Sequence, residues 1–361
     1  MDIVGPAQVA LRAELEPLLA RITGAAAETD RRGVSRETID DLAAAGLLGT
    51  ALPPVQQREL AERIAMADAT TWFCWVQHQT PLKTLEGDAP GVRVPAGADL
   101  RAEYLPGMQT GELLAAVAFA HVRRPGAPNP SATRVDGGWR FDGTLDWVTS
   151  WDIADVVMIM AQGTGDDADT LVCAFLPAGR GPITPGLTPG DPLDLLAMGG
   201  THTRPFTLEG VVVPDDSVVL VDREEWLASD SRKTSDVNPA TFGIARGAID
   251  ELDALATQRG DARLRALADD LASRVHDLRA RAYRAADEDA DPHVRVALRA
   301  QALDLAVTAA LSVITARAGA AMQSGGAAER RMREALFLQV QAQTAATRAA
   351  SLDLIRDRLR G

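Results

Sequence analysis

The chain is poor in cysteine, in aromatic residues and in long apolar runs, and each shortage excludes a class of protein. Its 361 residues include two cysteines, Cys74 and Cys173, which are too few for a disulfide framework or a structural zinc site. No uninterrupted apolar run reaches the roughly 18 residues that a membrane-spanning helix needs, so we expect no membrane partner. The N-terminal residues carry no basic segment before an apolar run, so we expect no secretory signal and a cytoplasmic location.

Basic residues are outnumbered as well. The chain has 37 Lys and Arg residues against 50 Asp and Glu residues, which gives a net charge of -13. A surface of this sign repels phosphate backbones, so general nucleic-acid binding is not expected. The hydrophobic share of 46% is ample for a core, and the length suits two or three domains or one large composite unit.

Hydrophobic periodicity changes twice along the chain and divides it into three regions. Residues 1–112 have helical spacing, residues 113–225 contain β-rich runs separated by Gly, Pro and Asp, and residues 226–361 contain four long helical segments. The pattern predicts an α+β fold with an N-terminal helical domain, a central small β-barrel or β-sandwich domain, and a C-terminal four-helix bundle.

Local signals place several helices. Ser35 is a predicted N-cap, and Gly46 stands where the same helix should end. Residues 60–85 are predicted as one buried helix, apolar on nearly all sides, which makes a core role for its histidine, His78, more common than a catalytic one. Residues 294–322 carry more apolar surface than a four-helix monomer would bury. We therefore expect a homodimer or homotetramer that assembles through the bundle.

The segment Arg140 to Ala161 is unusual because it crowds two tryptophans and two hydroxyls into one strand junction. Trp147, Thr149, Ser150 and Trp151 lie between two strand-like runs. Two interpretations are open. The indole rings can cover the core at a sheet edge, or the junction can be built to meet a flat, polar ligand.

Several motifs follow one another in a fixed order. "AFAHVRRPG" covers residues 118–126, "LEGVVVPDDSVVL" covers 208–220, "FGIARGAID" covers 242–250, and "MQSGGAAERRMREA" covers 322–335. Together with the Trp147 junction they resemble, in order and spacing, the acyl-CoA dehydrogenase superfamily, including its reduced-flavin monooxygenase branch. The resemblance covers nearly the whole chain and implies that superfamily's three-part fold.

The resemblance also implies a cofactor, either FAD or a reduced FAD or FMN supplied by a reductase. It implies that the flavin lies between the β-domain and the bundle. The residues expected around the ring are Phe119, Ala120, His121, Trp147, Thr149 and Ser150. The residues expected at the phosphate or adenosine end, from the same or a neighbouring subunit, are Gln323, Gly325 and Gly326.

Arg123 and Arg124 are the predicted substrate residues, because the phosphates of a thioester substrate need cations. The alternative is that both are solvated arginines of a turn. No residue pattern indicates a metal site.

The chain departs from the family where proton abstraction takes place. Of the two positions at which the family carries its catalytic carboxylate, one holds Ala342 and the other Lys233, and the nearest acid is Asp236. A general base must reach the proton that it removes, and the candidates for proton transfer are His121, His78 and Asp236, with Glu112 as a further acid if it reaches the pocket.

Three functions stay open at this point. The first is a flavin-dependent oxidoreductase of the acyl-CoA dehydrogenase type, acting on an acyl thioester or a related small molecule without the usual glutamate. The second is a two-component monooxygenase that uses reduced flavin for N-, S- or C-hydroxylation. The third is a scaffold that lost its flavin. A flavin reductase or an electron-transfer protein is the expected partner of either enzyme.

Overall fold

The N-terminal part is helical and is interrupted by one short strand. A computed structural model of the protein describes residues 6–49 and 52–360. The helices are α1 (Pro6–Arg32), α2 (Arg36–Ala44), α3 (Pro54–Ala67), α4 (Ala69–Glu86) and α5 (Ala98–Thr110). Ser35 caps α2, as predicted, by accepting a hydrogen bond from the backbone N–H of Thr38. Gly46 follows the helix end with a positive φ of 71°, which also agrees with the prediction.

The predicted single helix over residues 60–85 is wrong, because α3 ends and α4 begins at Asp68. This residue has extended backbone angles (φ -162°, ψ 115°), and its carboxylate accepts a hydrogen bond from the N–H of Thr71. Asp68 is therefore an N-cap hidden inside an apolar stretch. The break turns α4 toward the sheet, where it forms one wall of the site described below.

The middle of the chain forms one mixed nine-stranded sheet. The strands are β1 (Val92–Val94), β2 (Ala115–Ala118), β3 (Ser131–Val135), β4 (Gly138–Val148), β5 (Val156–Gly163), β6 (Thr170–Pro177), β7 (Leu187–Pro189), β8 (Arg204–Pro214) and β9 (Val218–Asp222). Their order is β1-β9-β6-β5-β3-β4-β8-β7, with β2 parallel to β5. β1 comes from the region that we expected to be helical throughout.

Both faces of this sheet are buried, as the alternation along β5 shows. Val157 and Ile159 point into a core made wholly of residues from the sheet and its connections. Val156 and Met158 point to the other face, which packs against helices α4, α5 and α6. The sheet thus has a core of its own and is also fixed to the helical part of the protein.

The C-terminal part is a helix bundle. Its helices are α6 (Arg223–Ser235), α7 (Pro239–Arg259), α8 (Ala262–Asp287), α9 (Pro292–Arg317), α10 (Ala327–Val340) and α11 (Ala345–Arg358). The fourth long helix that we predicted is in fact two, α10 and α11. The chain leaves helical geometry at Gln341 and passes through Ala342, which has a positive φ of 47°.

One segment of the bundle is long and apolar enough to cross a membrane, although its apolar run is interrupted, as the sequence shows. By length and composition alone, the 31 residues Pro292–Met322 qualify, with a mean hydropathy of 1.5 in their best window. One third of the window is buried in the chain, where α9 packs against α7, α8, α10 and α11.

Candidate functional site

The two tryptophans of the β4–β5 junction have opposite environments. Trp151 is buried and packs edge-on against Phe206, with ring centroids 4.4 Å apart. Trp147 is 49% exposed, whereas the other five tryptophans of the chain are at most 7% exposed. The interpretation that indoles cover the sheet core holds for Trp151. It does not explain Trp147, whose ring faces out of the core.

A row of buried hydroxyls lies directly behind Trp147. Thr149 shares a hydrogen bond of 3.1 Å with Thr203, and Thr203 shares one of 2.7 Å with Thr201. Ser150 is fully buried with a positive φ of 68°, and its Oγ has no hydrogen-bond partner in the described structure. The thiol of Cys74, on α4, is its polar neighbour. The hydroxyl of Ser150 is therefore enclosed by the protein and lies against a thiol.

The short 3-10 turn Ala120–Arg123 borders the same junction. The ring of Phe119 packs edge-on against Trp226 of α6, with centroids 5.8 Å apart. Ala120 is exposed. The guanidinium of Arg123 lies 5.0 Å from the centre of the Phe119 ring and binds both oxygens of Asp230, each at 2.7 Å. The turn is thereby fixed against α6.

The two predicted substrate arginines are both neutralised within the chain. Arg123 pairs with Asp230, as described, and Arg124 pairs with Asp146 at 2.5 Å. Their charges are therefore already balanced before any ligand binds. A phosphate at this turn would have to compete with a carboxylate at each position, which favours the interpretation of these arginines as parts of a stabilised turn.

The two candidate histidines, His78 and His121, are held in hydrogen bonds to the backbone. Nε2 of His78 donates to the carbonyl of Met108 at 2.9 Å, and Nδ1 accepts from the N–H of Ala115 at 3.0 Å. Nε2 of His121 donates to the carbonyl of Met160 at 2.6 Å. Burial lowers the pKa of each imidazole to about 4. Both rings are therefore neutral at pH 7, and His78 has no free nitrogen with which to move a proton.

Asp236 is not free to act as a base in this arrangement. Both of its oxygens accept hydrogen bonds of 2.7 Å from Arg295 of α9. This pairing fixes the end of α6 to the bundle. Removing a proton would require the carboxylate to leave its arginine.

The α10–α11 junction carries a cation near the position where the family has its carboxylate. Arg299 of α9 is 3% exposed and donates hydrogen bonds to the backbone carbonyls of Gln341, at 2.8 Å, and of Thr234. Its Nε has no partner, and it forms no ion pair with any described residue. Burial, and next the charge of Arg123, lower the pKa of this guanidinium to about 10, so it is still charged at pH 7.

We take these elements together as the candidate site and call the region between them the cleft. Its walls are α4, the C-terminal end of α6, the α10–α11 junction and the turn Ala120–Arg123. Phe73 of α4 packs against Phe337 of α10, with ring centroids 4.9 Å apart, and Asn238, before α7, donates to the side chain of Gln341 at 3.2 Å. The cleft thus has an apolar contact at Phe73 and Phe337 and a polar contact at Asn238 and Gln341.

The segment 323–326, which we predicted for the phosphate or adenosine end of a flavin, does not lie at the cleft but just before α10. Gly325 donates its N–H to Glu329 at 2.8 Å and approaches the side chain of Arg31 at the end of α1. Gln323 is exposed. In the described part of the chain no hydrogen bond or ion pair joins this segment to Trp147, so its assignment to the phosphate or adenosine end of a flavin stays a prediction.

A buried charged cluster behind α4 was not predicted from the sequence. Glu334 of α10 is 2% exposed, and neither of its carboxylate oxygens has a hydrogen-bond partner. Arg330 lies 3.3 Å away, and Asp68, also buried, has one unpaired oxygen. Burial, opposed by the charge of Arg330 and reinforced by that of Asp68, raises the pKa of Glu334 to about 7. The N-cap pattern at Asp68 was the signal that could have indicated this site.

A cavity of about 660 Å³ lies away from the cleft, between α1, α3, α7 and α10. Its charged walls pair with one another, for example Arg63 with Glu16 and Arg331 with Glu251. It contains none of the predicted site residues. We therefore place the candidate site at the cleft.

The fold has well-characterised relatives among solved structures. Butyryl-CoA dehydrogenase from Megasphaera elsdenii superimposes with a TM-score of 0.77 and 16% identity, over 98% of this chain and 100% of that one. The chain has the acyl-CoA dehydrogenase fold. KijD3, solved in complex with FMN and a dTDP-linked amino-keto sugar, superimposes with a TM-score of 0.75 and 21% identity, over 99% of this chain and 95% of that one. At these identities the likeness establishes the fold alone.

Sequence comparison gives a shorter match. A mitochondrial 2-methylacyl-CoA dehydrogenase from Solanum tuberosum is 27% identical over 127 residues. That alignment covers 34% of this chain and 29% of the length of the potato protein. No family model matches the chain. The predicted fold is thus confirmed, whereas the reaction has to be argued from the cleft.

Proposed function

We propose that the protein is a flavin-dependent oxidoreductase of the acyl-CoA dehydrogenase type that works without the usual catalytic glutamate. The observation that carries the proposal is Trp147, the one half-exposed tryptophan, beside the buried hydroxyls of Thr149 and Ser150. An indole face stacks well on a flat ring, and hydroxyl and backbone groups beside it can bond the polar edge of that ring. The residues present therefore fit a flavin ring, and a bound FAD or FMN supplies the redox chemistry.

The chain's own residues would position the reactants and keep water out. Phe73 and Phe337 form an apolar contact, and the half-exposed Trp147 would stack on the ring. The substrate of this first candidate is an acyl thioester or a related small molecule. An electron-transfer protein is the matching partner.

The charges in the cleft favour a second candidate, a monooxygenase fed with reduced FAD or FMN by a separate reductase. Ala342 offers no carboxylate, Asp236 is bound by Arg295, and Arg299 places a cation beside the junction. Loss of a positioned general base costs about 10²–10⁴-fold in rate. Hydroxylation at nitrogen, sulfur or carbon does not depend on that carboxylate, and KijD3, whose structure holds FMN and an amino sugar nucleotide, has the same fold.

Two mixing experiments separate the candidates. Oxidised flavin-loaded protein is mixed with a panel of acyl thioesters without oxygen, and bleaching of the flavin would support the dehydrogenase. Protein with reduced flavin is then mixed with oxygen and candidate amines, thioethers and amino sugar nucleotides, and oxygen-dependent product without anaerobic bleaching would support the monooxygenase.

The variant Ala342→Glu sharpens this comparison. It returns a carboxylate to the junction, so a dehydrogenase that lacks only its base should bleach faster by about 10²-fold or more. A monooxygenase should gain nothing. If neither reaction occurs and no form of flavin binds, the scaffold hypothesis stands and the proposal fails.

We propose, in addition, that the protein assembles as a homodimer or homotetramer through α9 and α11. Apolar side chains on this side of the bundle are at least half exposed. They are Leu311, Leu352, Ile355 and Leu359. Contiguous apolar surface on a folded chain commonly marks an interaction surface, and a second copy of the chain is the simplest partner for it.

A further inference from the structure

The cavity between α1, α3, α7 and α10 has the size of a small-molecule site. Its volume is about 660 Å³. Pockets that bind small ligands measure roughly 300–1,000 Å³. All of its lining residues belong to these four helices, so it lies between the N-terminal helices and the bundle and apart from the sheet. A ligand in this cavity would bind away from the cleft and from the proposed reaction.

The walls of the cavity offer both apolar and charged surface. Every apolar side chain of the lining comes from α1 or α3; these are Leu19, Ala20, Met66 and Ala67. Apart from one glycine, α7 and α10 contribute charged residues only; these are Arg246, Asp250, Glu251 and Arg331. A ligand that fills the cavity therefore needs an apolar part and a charged part.

The cation of this wall, Arg331, is poorly compensated by the protein. Its residue is 8% exposed, and no nitrogen of its guanidinium donates a hydrogen bond to a described residue. Its ion pair with Glu251 is long, at 3.8 Å, and Arg317 already binds that carboxylate at 2.6 Å. Nε of Arg331 is enclosed, whereas its two terminal nitrogens keep surface on the cavity that the side chain lines. A buried cation needs both an anion and hydrogen bonds, and a ligand can supply them here.

The anion of the wall, Asp250, lies one helical turn from this guanidinium. Arg331 packs against the backbone of α7 at Gly247, where an added Cβ would lie 2.2 Å from Nη1 of the arginine. Asp250 is three residues further along α7, which places it on the same helix face. Within the described part of the chain it forms no hydrogen bond or ion pair. Desolvation raises the pKa of its carboxyl against the charges of Arg246 and Arg331, so its anion also lacks a sufficient partner.

We infer that this cavity binds a small zwitterion with an aliphatic body, of the class of the apolar α-amino acids. Its carboxylate accepts hydrogen bonds from Arg331, its ammonium donates to Asp250, and its side chain packs on Leu19 and Met66. A lone carboxylate would leave Asp250 without a partner, and a lone amine would leave Arg331 without one. The wall therefore selects a ligand that carries both charges.

Three small molecules test this selection. L-Leucine carries both charges, 4-methylpentanoate lacks the ammonium, and 3-methylbutylamine lacks the carboxylate. Each is titrated into flavin-free protein by isothermal titration calorimetry. We expect saturable binding of leucine, at least about 10-fold tighter than that of either analogue, because each analogue loses a hydrogen bond between charged groups.

Two substitutions assign the two charges to their residues. Asp250→Asn, which keeps the size of the side chain, should weaken leucine binding at least about 10-fold and should not weaken binding of 4-methylpentanoate. Arg331→Gln should weaken leucine binding and should not weaken binding of 3-methylbutylamine. Asp269→Asn, the same substitution at an exposed position of α8, is the matched control and should change nothing.

A third substitution blocks the cavity without touching the buried charges. Ala20→Phe, at an exposed position of α1, fills part of the apolar side and should abolish leucine binding even if Arg331→Gln does not fold. Circular dichroism establishes that each variant is folded. No saturable binding of leucine, equal affinity for leucine and either analogue, or full affinity in Asp250→Asn would overturn the inference. Because no flavin is present, these results do not depend on the proposed function, which fails or stands by the flavin titration.

Discussion

Replacing Glu334 with glutamine should make the stability of the protein less sensitive to alkaline pH. Glu334 is buried, its two oxygens have no hydrogen-bond partner, and burial raises its pKa from 4.5 to about 7. A carboxyl whose pKa is raised on folding binds more protons in the folded state. The free energy of unfolding therefore falls as the pH rises from the unfolded pKa through the folded one.

The size of the effect follows from the two pKa values. Between pH 5 and pH 8 the ionisation of Glu334 should remove about 2.5 kcal/mol of stability, at 1.36 kcal/mol per pKa unit. Glutamine cannot ionise and so avoids this loss. Arg330 loses its anionic neighbour in the variant, so the unfolding free energies of the two proteins should differ by a constant amount at all pH values. The diagnostic quantity is therefore how that difference in unfolding free energy changes between pH 5 and pH 8.

The assay is urea unfolding followed by tryptophan fluorescence at pH 5 and pH 8, for wild type and Glu334→Gln. The stability of the variant relative to wild type should rise by about 2.5 kcal/mol between the two pH values. Equal pH dependence in both proteins would refute the reasoning, because Glu334 would then ionise alike in the folded and unfolded states.

Two further predictions concern packing and assembly. Gly243→Ala places a Cβ 2.1 Å from the backbone oxygen of Glu62, where α7 crosses α3, and should lower the thermal midpoint of unfolding strongly, by an overpacking cost of about 3 kcal/mol. Gly24→Ala, whose added Cβ meets open space, should not lower the midpoint. Equal midpoints for the two variants would contradict the close crossing of α7 and α3. Leu352→Glu combined with Ile355→Glu should convert the oligomer to monomers in analytical ultracentrifugation, and an unchanged mass would exclude this face as the interface.

Local patterns predicted the parts of the fold that local chemistry decides. Ser35 and Gly46 bounded a helix correctly because a cap and a left-handed turn are properties of a few adjacent residues. The strands around Trp147 were predicted for the same reason. The break at Asp68 was missed because its apolar neighbours continue the helical pattern on both sides, and the cap stands inside it.

Parts of the site depend on contacts between distant segments, which periodicity does not reveal. Arg123 and Arg124 look like free cations in the sequence, but the fold brings Asp230 and Asp146 to them. Glu334 looks like one charge on a solvated helix face, yet α4 covers it.

The most direct test of the account is the binding of flavin at Trp147. Wild type, Trp147→Ala and the control Val212→Ala, an exposed position on β8, are titrated with oxidised and reduced FAD and FMN. We predict saturable binding of at least one form with quenching of tryptophan fluorescence, unchanged in Val212→Ala and about 10-fold weaker in Trp147→Ala because the aromatic stack is lost. Equal affinity in all three proteins, or no binding of any flavin, would contradict the account.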